Sequence, residues 1–298
     1  QWYAFKMRKL IGHVSFAALL TATAVGAQAP AKHFLWSVNA PGAPPSYLMG
    51  SLHVLTEDYY PLSARIDQAF ASSTVLIVEA DMDELASPVT LMSVMGKAML
   101  PDGKTLAQVI GADLHTVVMD RADKAGVPRA AIERLKPWMV ALLLTAPALQ
   151  AAGFKAEHGI DKHFFDRAKK AGTERRALET VAFQFDRMDL MPAPQQEAML
   201  RATLDGLDTQ TSNVKTMADA WASGDTASLE KLLLTEMKSS PDLYARLLIE
   251  RNAYWVESVE TCVKQKTSCF VVVGAAHLVG PDSLVAMLQK KGYTVEQH

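Results

Sequence analysis

The sequence predicts an α/β (α+β) fold, with a mixed central sheet built from N- and C-terminal strands and a large helical middle region packed on it. Two observations support this prediction. Short apolar, β-prone runs lie near both ends of the chain, whereas residues 88–260 mostly repeat apolar side chains at helical spacing. Because strands must pair, the terminal runs are expected to form one sheet that the helices cover.

The N-terminal part is predicted to hold three strands and one helix. Residues 33–38 and 47–50 flank a turn rich in proline and glycine, which is typical of a hairpin. Residues 62–72 have the apolar spacing of a helix, and residues 74–79 form a short apolar strand that ends in an acid. The expected order is therefore strand, strand, helix, strand.

The remaining elements are a long helical region followed by further strands. The predicted helices cover residues 106–110, 114–125, 130–151, 160–170, 194–223, 226–262 and 284–292, with a break at Pro241. The predicted strands cover residues 175–179, 269–274 and 293–296, of which the second has the clearest β pattern.

Composition and charge limit the function. Of 298 residues, 49% are hydrophobic and 21% are charged, which is ordinary for a globular protein. The formal net charge of −2 offers no basic surface, so no nucleic-acid partner is expected. The sequence has no G-x-S-x-G elbow, P-loop or G-x-G-x-x-G loop, and a serine hydrolase is therefore disfavoured.

Residues 1–27 are predicted to be a signal peptide whose natural start is Met7. Arg8 and Lys9 supply a positive start, residues 14–25 are largely apolar, and Gly26 and Ala27 are small, as a cleavage site requires. The alternative is an ordinary buried helix. No later stretch has the roughly 18 apolar residues of a membrane span. We expect a periplasmic or secreted protein with a single domain over residues 28–298.

The sequence contains two cysteines, Cys262 and Cys269. In an exported protein they are expected to form a disulfide that closes a short hairpin-like loop. Two free thiols are the alternative interpretation.

Three residues at predicted strand ends suggest a metal site. Gly50 and Gly274 each end an apolar run and are followed three residues later by His53 and His277, while Glu79 ends a third run. Glycine would let the backbone turn sharply, so both imidazoles could point into one cleft. Two histidines and a carboxylate are a common ligand set for a divalent metal. Alternatively, the histidines are structural and Glu79 caps a turn.

Other polar residues could complete such a site. Arg251 and Asn252 lie on a predicted helix and could hold a substrate carboxylate or an oxyanion, although a solvated helix face is the alternative. Glu179 and Gln184 follow a predicted strand and could support the site from behind its ligands. A cluster around Asp161, which includes Glu157 and His163, is better explained as acids at a helix N-terminus than as a metal site.

Five blocks in order resemble the TraB/GumN family over nearly all of the expected mature chain. These blocks are Gly50-Ser51-Leu52-His53, Val78-Glu79, Leu178-Glu179-Thr180 with Gln184, Glu250-Arg251-Asn252, and Gly274-Ala275-Ala276-His277. The resemblance implies kinship with the Tiki proteases, which are metal-dependent, and with a superfamily that includes erythromycin esterases and haem-binding ChaN-type lipoproteins. Carried over by motif, the Tiki site corresponds to His53, Glu79 and His277.

The resemblance and the residues together predict a metal-dependent hydrolase, of the peptidase type, that uses manganese, cobalt or zinc. His53 and His277 would bind the ion, and Glu79 would either complete the ligand set or accept the proton of the attacking water. The substrate would be a peptide or an envelope-derived molecule. Two alternatives stay open: a non-catalytic periplasmic protein that binds haem, metal or an envelope polymer, and a metal-independent hydrolase of the esterase type.

Overall fold

A computed structural model describes the backbone of residues 32–298 and their side chains except those at positions 210, 211 and 236. The predicted signal peptide lies outside the described residues. Within them, one sheet contains six strands, β1 to β6 in chain order: Leu35–Asn39, Ser46–Ser51, Val75–Val78, Glu174–Ala177, Cys269–Gly274 and Thr294–Gln297.

The sheet is mixed and has the strand order β4-β3-β5-β2-β1-β6. β1 pairs antiparallel with β2 and β6, whereas β2, β5, β3 and β4 run parallel. The central parallel strands are apolar and buried, as strands covered on both faces must be, while the edge strands β4 and β6 are partly exposed and carry polar side chains. This architecture confirms the predicted fold class.

Most of the connections between successive strands contain helices. Numbered α1 to α15 in chain order, they are Ala64–Ala71, Met82–Leu85, Pro88–Ala98, Leu106–Ile110, Ala112–Ala125, Arg129–Ile132, Pro137–Ala151, Ile160–Ala171, Val181–Asp189, Ala193–Gly206, Gln210–Ala222, Thr226–Lys238, Pro241–Tyr244, Glu250–Lys264 and Leu284–Lys290. Short 3₁₀ turns occur at Glu57–Tyr59, Ala156–His158 and Ala275–Leu278, and a π-helical segment at Ala245–Ile249 leads into α14.

The structure divides the long helices that the periodicity predicts. Residues 130–151 form α6 and α7 rather than one helix, because Lys136 is extended before Pro137, which occupies the first turn of α7. Residues 194–223 likewise form α10 and α11, with a turn at residues 207–209. Apolar spacing continues across both breaks, so periodicity alone could not locate them.

Two hydrophobic clusters form the interior. One surrounds the sheet, and the other lies among α3 to α7, α9 and α10. None of the helices in residues 32–298 is long and apolar enough to cross a membrane.

Cys262 and Cys269 are joined in a disulfide, with their Cα atoms 6.4 Å apart. The loop that it closes differs from the predicted hairpin-like loop. Cys262 lies on α14 and Cys269 begins β5, so the bond joins the end of a helix to the start of the next strand.

Candidate functional site

The two Gly-x-x-His segments leave the same edge of the sheet. β2 and β5 are parallel neighbours, and Ser51 lies opposite Gly274 in their register. His53 follows β2 by two residues, and His277 lies in the 3₁₀ turn after β5. β3 pairs with the other side of β5, so Glu79, directly after β3, reaches the same edge. The sheet order therefore brings three distant parts of the chain together.

Gly274, which has no side chain, lies at the point where these three side chains approach one another. A Cβ atom at this position would lie 3.2 Å from Glu79 Oε1, 3.6 Å from His277 Cδ2 and 3.9 Å from His53 Nε2. The three side chains thus surround one small volume.

Both glycines lie at close-packed positions, which differs from the sharp turn expected from the sequence; the lack of space is severe at Gly50 and slight at Gly274. Gly274 has φ −51°, which any residue can adopt. Gly50 lies within β2, and a Cβ there would overlap the ring of Phe34. Close packing, and not a turn, is therefore the physical reason for a glycine at these two positions.

Glu79 is buried and fully engaged. Its Oε1 accepts from the Gly274 amide at 2.6 Å, and its Oε2 accepts from Arg251 at 2.7 Å and from Gln184 at 3.2 Å. Burial would raise the pKa of Glu79, but the permanent charge of Arg251, a protonated His53 and the Gly274 amide oppose burial and lower the pKa. Glu79 is therefore a carboxylate at neutral pH.

Arg251 links Glu79 to a second buried acid. Its Nη2 and Nε donate to Glu179 at 2.6 and 3.2 Å, and its guanidinium lies 4.4 Å from the ring centre of Trp255. Trp255 Nε1 also donates to Glu179. Burial raises the pKa of Glu179, and the contact with Arg251 opposes that shift. Arg251 is thus the permanent cation that holds two buried carboxylates.

His277 is buried and held in one tautomer. Asn252 donates through Nδ2 to the Asp282 carbonyl at 2.8 Å, so its Oδ1 must accept from His277 Nδ1 at 2.6 Å. Nε2 is then unprotonated and accepts from Arg251 Nη1 at 3.1 Å. Burial lowers the pKa of His277 to about 3, so the ring is neutral at neutral pH.

His53 occupies the exposed rim of the site. Its side chain is 69% exposed, and its Nδ1 lies 2.8 Å from Asp161 Oδ2, which also accepts from the Ser51 hydroxyl. The Asp161 carboxylate raises the pKa of His53, although solvent screens part of this effect. With Nδ1 bonded to the acid, Nε2 faces Glu79 and His277.

Asp161 is held against His53 by the start of α8. The Ile160 amide donates to the Leu52 carbonyl at 3.1 Å, and a Cβ at Gly159 would overlap the carbonyl oxygen of His53. The N-terminus of α8 therefore docks directly on the turn that carries His53.

The structure brings the residues named from the sequence into one cluster. Glu79, Glu179, Gln184, Arg251, Asn252 and His277 are connected by hydrogen bonds, and His53 faces them across Gly274. Sequence reasoning missed the roles of Asp161, Ser51 and Trp255. It noted Asp161 as an acid at a helix N-terminus, but nothing in the sequence showed which turn this helix would meet.

The chemistry of these side chains fits a divalent metal. Each histidine has its Nδ1 bonded to an acid or amide and its Nε2 turned inward, which is how most metal-binding histidines are oriented. When both are ionised, Glu79 and Glu179 outnumber the single permanent charge of Arg251, so the cluster favours a further cation. In the described part of the chain, no group of three or more His, Cys, Asp or Glu side chains is arranged so that it could hold a metal ion. Because His277 Nε2 has one lone pair, a bound ion would have to displace Arg251 Nη1 from it.

The sequence matches the model of a recognised protein family. The model of the TraB/PrgY/gumN family matches residues 34–297, and the chain is a member of that family.

Named relatives fall into two groups. The bacterial protein YbaP is 26% identical in both Shigella flexneri and Escherichia coli K12, over 86% of this chain and 94% of YbaP. The metalloprotease TIKI2 of Danio rerio is 24% identical over 88% of this chain, and that of Xenopus tropicalis is 25% identical over 88%. The alignments cover 60% and 59% of these two longer proteins. No solved structure matches the chain significantly.

Proposed function

We propose that the protein is a metal-dependent hydrolase of peptide bonds, with His53, Glu79 and His277 as the metal ligands. The meeting of Glu79 Oε1, His277 and His53 Nε2 around the side-chain-free Gly274 carries this proposal. The similarity to two proteins named as metalloproteases supports the reaction class. Manganese, cobalt and zinc all suit a set of two imidazoles and one carboxylate.

A divalent ion held there would polarise the scissile carbonyl and lower the pKa of a water molecule. The protein's own groups prepare for that chemistry. Asp161 and Asn252 fix the two rings so that both Nε2 atoms face inward. The Gly274 amide and Gln184 hold the carboxylate of Glu79 from two sides.

Glu79 suits the part of a ligand better than that of a base. Arg251 and the Gly274 amide lower the pKa of Glu79, which makes its carboxylate a weaker base. Three hydrogen bonds also fix its orientation, which favours a ligand that must not move.

Arg251 and Asn252 have different roles in the proposed mechanism. Arg251 supplies positive charge beside the reacting carbonyl and keeps Glu79 ionised. Asn252 is 1% exposed and uses both polar atoms on His277 and the Asp282 carbonyl, so it is a positioning residue.

The proposed substrate is a peptide or an envelope-derived molecule encountered in the periplasm or outside the cell. The predicted signal peptide supports this location, and the exposed side chain of His53 leaves the site open to a large substrate from that side.

One contact favours a second candidate, a metal-independent hydrolase. Arg251 Nη1 already occupies the Nε2 lone pair of His277, so a permanent cation lies where a metal would bind. In that case the His53–Asp161 pair would act as the base and Arg251 would stabilise the oxyanion.

Hydrolysis of casein and of quenched fluorescent peptides tests the proposal. Chelator-treated protein should be inactive and should recover with manganese, cobalt or zinc. Glu79→Gln should lose at least about a hundredfold in rate, because a ligand is lost. Asp166→Asn, at an exposed ion pair, is the control. Turnover that resists chelation would select the metal-independent candidate, and an inactive wild-type protein under every metal would reject both.

A further inference from the structure

Helix α3 is apolar on its exposed side as well as its buried side. Val94 and Ala98 pack into the helical core, yet Val89 and Met92 are 74% and 72% exposed. The exposed apolar surface consists of six side chains, which we name the α3 face: Leu85, Val89, Leu91, Met92, Met95 and Met99. Exposed apolar side chains that cluster on one helix mark interaction sites, so this face is expected to bind a partner.

The α3 face is connected to the candidate site by two routes. Along the chain, only the short α2 separates α3 from Glu79. In space, α3 packs on α9 and is fixed to it by the ion pair of Lys97 with Asp186. The same α9 carries Gln184, which donates to Glu79 at 3.2 Å. A molecule bound on α3 would therefore lie next to the elements that hold the site.

The charges beside the α3 face indicate which kind of partner it fits. α2 and its N-cap contribute three carboxylates, and Asp83 is paired with Lys169 and Arg175, which leaves Asp81 and Glu84 in excess. Lys97, the one basic residue of the 80–99 segment, is paired with Asp186. An acidic margin repels an anionic bilayer and attracts basic groups. Methionine side chains adapt to partners of varied shape, which suits many different apolar sequences.

We propose that the α3 face binds apolar segments of peptide substrates, with basic residues of the peptide beside α2. This inference rests on the proposed function and adds the substrate class: extended peptides that combine leucine or phenylalanine with lysine or arginine. The α3 face holds the peptide, and the candidate site at the strand ends hydrolyses the adjoining segment of the same peptide.

Peptide binding without hydrolysis tests this proposal. Fluorescence anisotropy would compare a labelled Leu/Phe-rich peptide with flanking lysines against one with serine and glutamine at the apolar positions, using protein free of added metal. The variant Val89→Ser/Met92→Gln/Met95→Gln removes the centre of the face. Val117→Gln on α5 is the matched control, since Val117 is 46% exposed and Met95 47%.

Wild-type protein should bind the apolar peptide at least about tenfold more tightly than the polar one, and the triple variant should lose about tenfold in affinity, because several apolar contacts are removed. The Val117→Gln control should bind like the wild type. All the exchanged side chains are exposed, so unchanged circular dichroism is expected for both variants.

Several results would overturn the proposal. Equal binding by wild type and triple variant would do so, as would the absence of binding to either peptide. A dimer in analytical ultracentrifugation that the triple variant abolishes, with unchanged peptide binding, would assign the face to a second copy. Flotation with phosphatidylglycerol vesicles that depends on the face would assign it to a membrane. Peptide binding that depends on the α3 face in a protein without hydrolysis would reject the proposed function alone.

Discussion

The two histidines occupy equivalent positions in similar sequences but have opposite environments. His277 is 4% exposed, and burial lowers its pKa to about 3. The His53 side chain is 69% exposed, and Asp161 raises its pKa. The local motif sets where each ring leaves the sheet, whereas the helix that packs over it sets its protonation. α14 covers His277 with Asn252 and Arg251, and α8 brings only Asp161 to His53.

This difference predicts that the two histidines contribute differently to stability and to ligand binding. We call His277 with Asn252 and Arg251 the His277 half, and His53 with Asp161 the His53 half. The His277 half is buried in the core, so substitutions there should reduce stability and ligand binding together. The His53 half lies on the rim, so changes there should affect ligand binding alone. The following predictions test this division and are ordered by their expected effect on the free energy of unfolding.

Replacing Arg251 should have the largest effect. Arg251→Met leaves Glu79 and Glu179 buried without their cation, and removal of one partner from such a cluster costs about 3–5 kcal/mol. Urea unfolding measures the loss. Arg201→Met, at an exposed pair with Glu197, is the control and should cost less than about 1 kcal/mol. Equal losses for the two variants would mean that the cluster does not stabilise the His277 half.

The two glycines should separate packing from ligand binding. Gly50→Ala forces a methyl group into Phe34 and should cost about 1–3 kcal/mol. Gly274→Ala meets only the Glu79 carboxylate, at 3.2 Å, so it should cost less but weaken metal binding. Urea unfolding and metal titration of both variants measure the two effects. Unchanged metal affinity in Gly274→Ala would mean that the ion does not bind at this point.

Glutamine substitutions of the two histidines compare the halves directly. His277→Gln should cost about 1–3 kcal/mol, because Asn252 and Arg251 lose a buried partner. His53→Gln should change stability by less than about 0.5 kcal/mol, as exposed substitutions usually do. Thermal or urea unfolding distinguishes them. Similar losses in both would show that the two environments are energetically alike.

Asp161→Asn should have the smallest effect on stability and a selective effect on metal. The amide keeps the shape of the side chain but removes the charge that orients His53, so metal affinity should fall about 10- to 100-fold. The pKa of His53, followed by the ¹⁵N shifts of its ring in the metal-free variant, should fall because the charge that raises it is gone. Asp166→Asn on the same helix is the control. Full metal affinity with an unchanged His53 pKa would remove Asp161 from the site.

The strands were more predictable than the contacts between them. The run at Cys269–Gly274 combines a phenylalanine with three consecutive valines, which favour strands, and its bounds agree with the prediction. The prediction of a single helix over 130–151 was wrong. The structure has two helices there, because Pro137 occupies the first turn of a new helix, α7.

The cluster at the strand ends could be named from the sequence only as separate residues. His53, Glu79 and His277 are recognisable because each follows an apolar run. Their closeness depends on β5 lying between β2 and β3, which the sequence does not specify. The position of Asp161 beside His53 depends on a further tertiary contact, the packing of the start of α8 on the turn after β2.

The central claim is that both histidine turns and Glu79 bind one metal ion. Calorimetric titration of chelator-treated protein with manganese, cobalt and zinc tests it, with His53→Ala and His277→Ala measured beside the wild type. We expect about one equivalent bound by the wild type and none by either folded variant, since both rings are ligands. Undiminished binding in either variant, or no binding to the wild type, would contradict the claim.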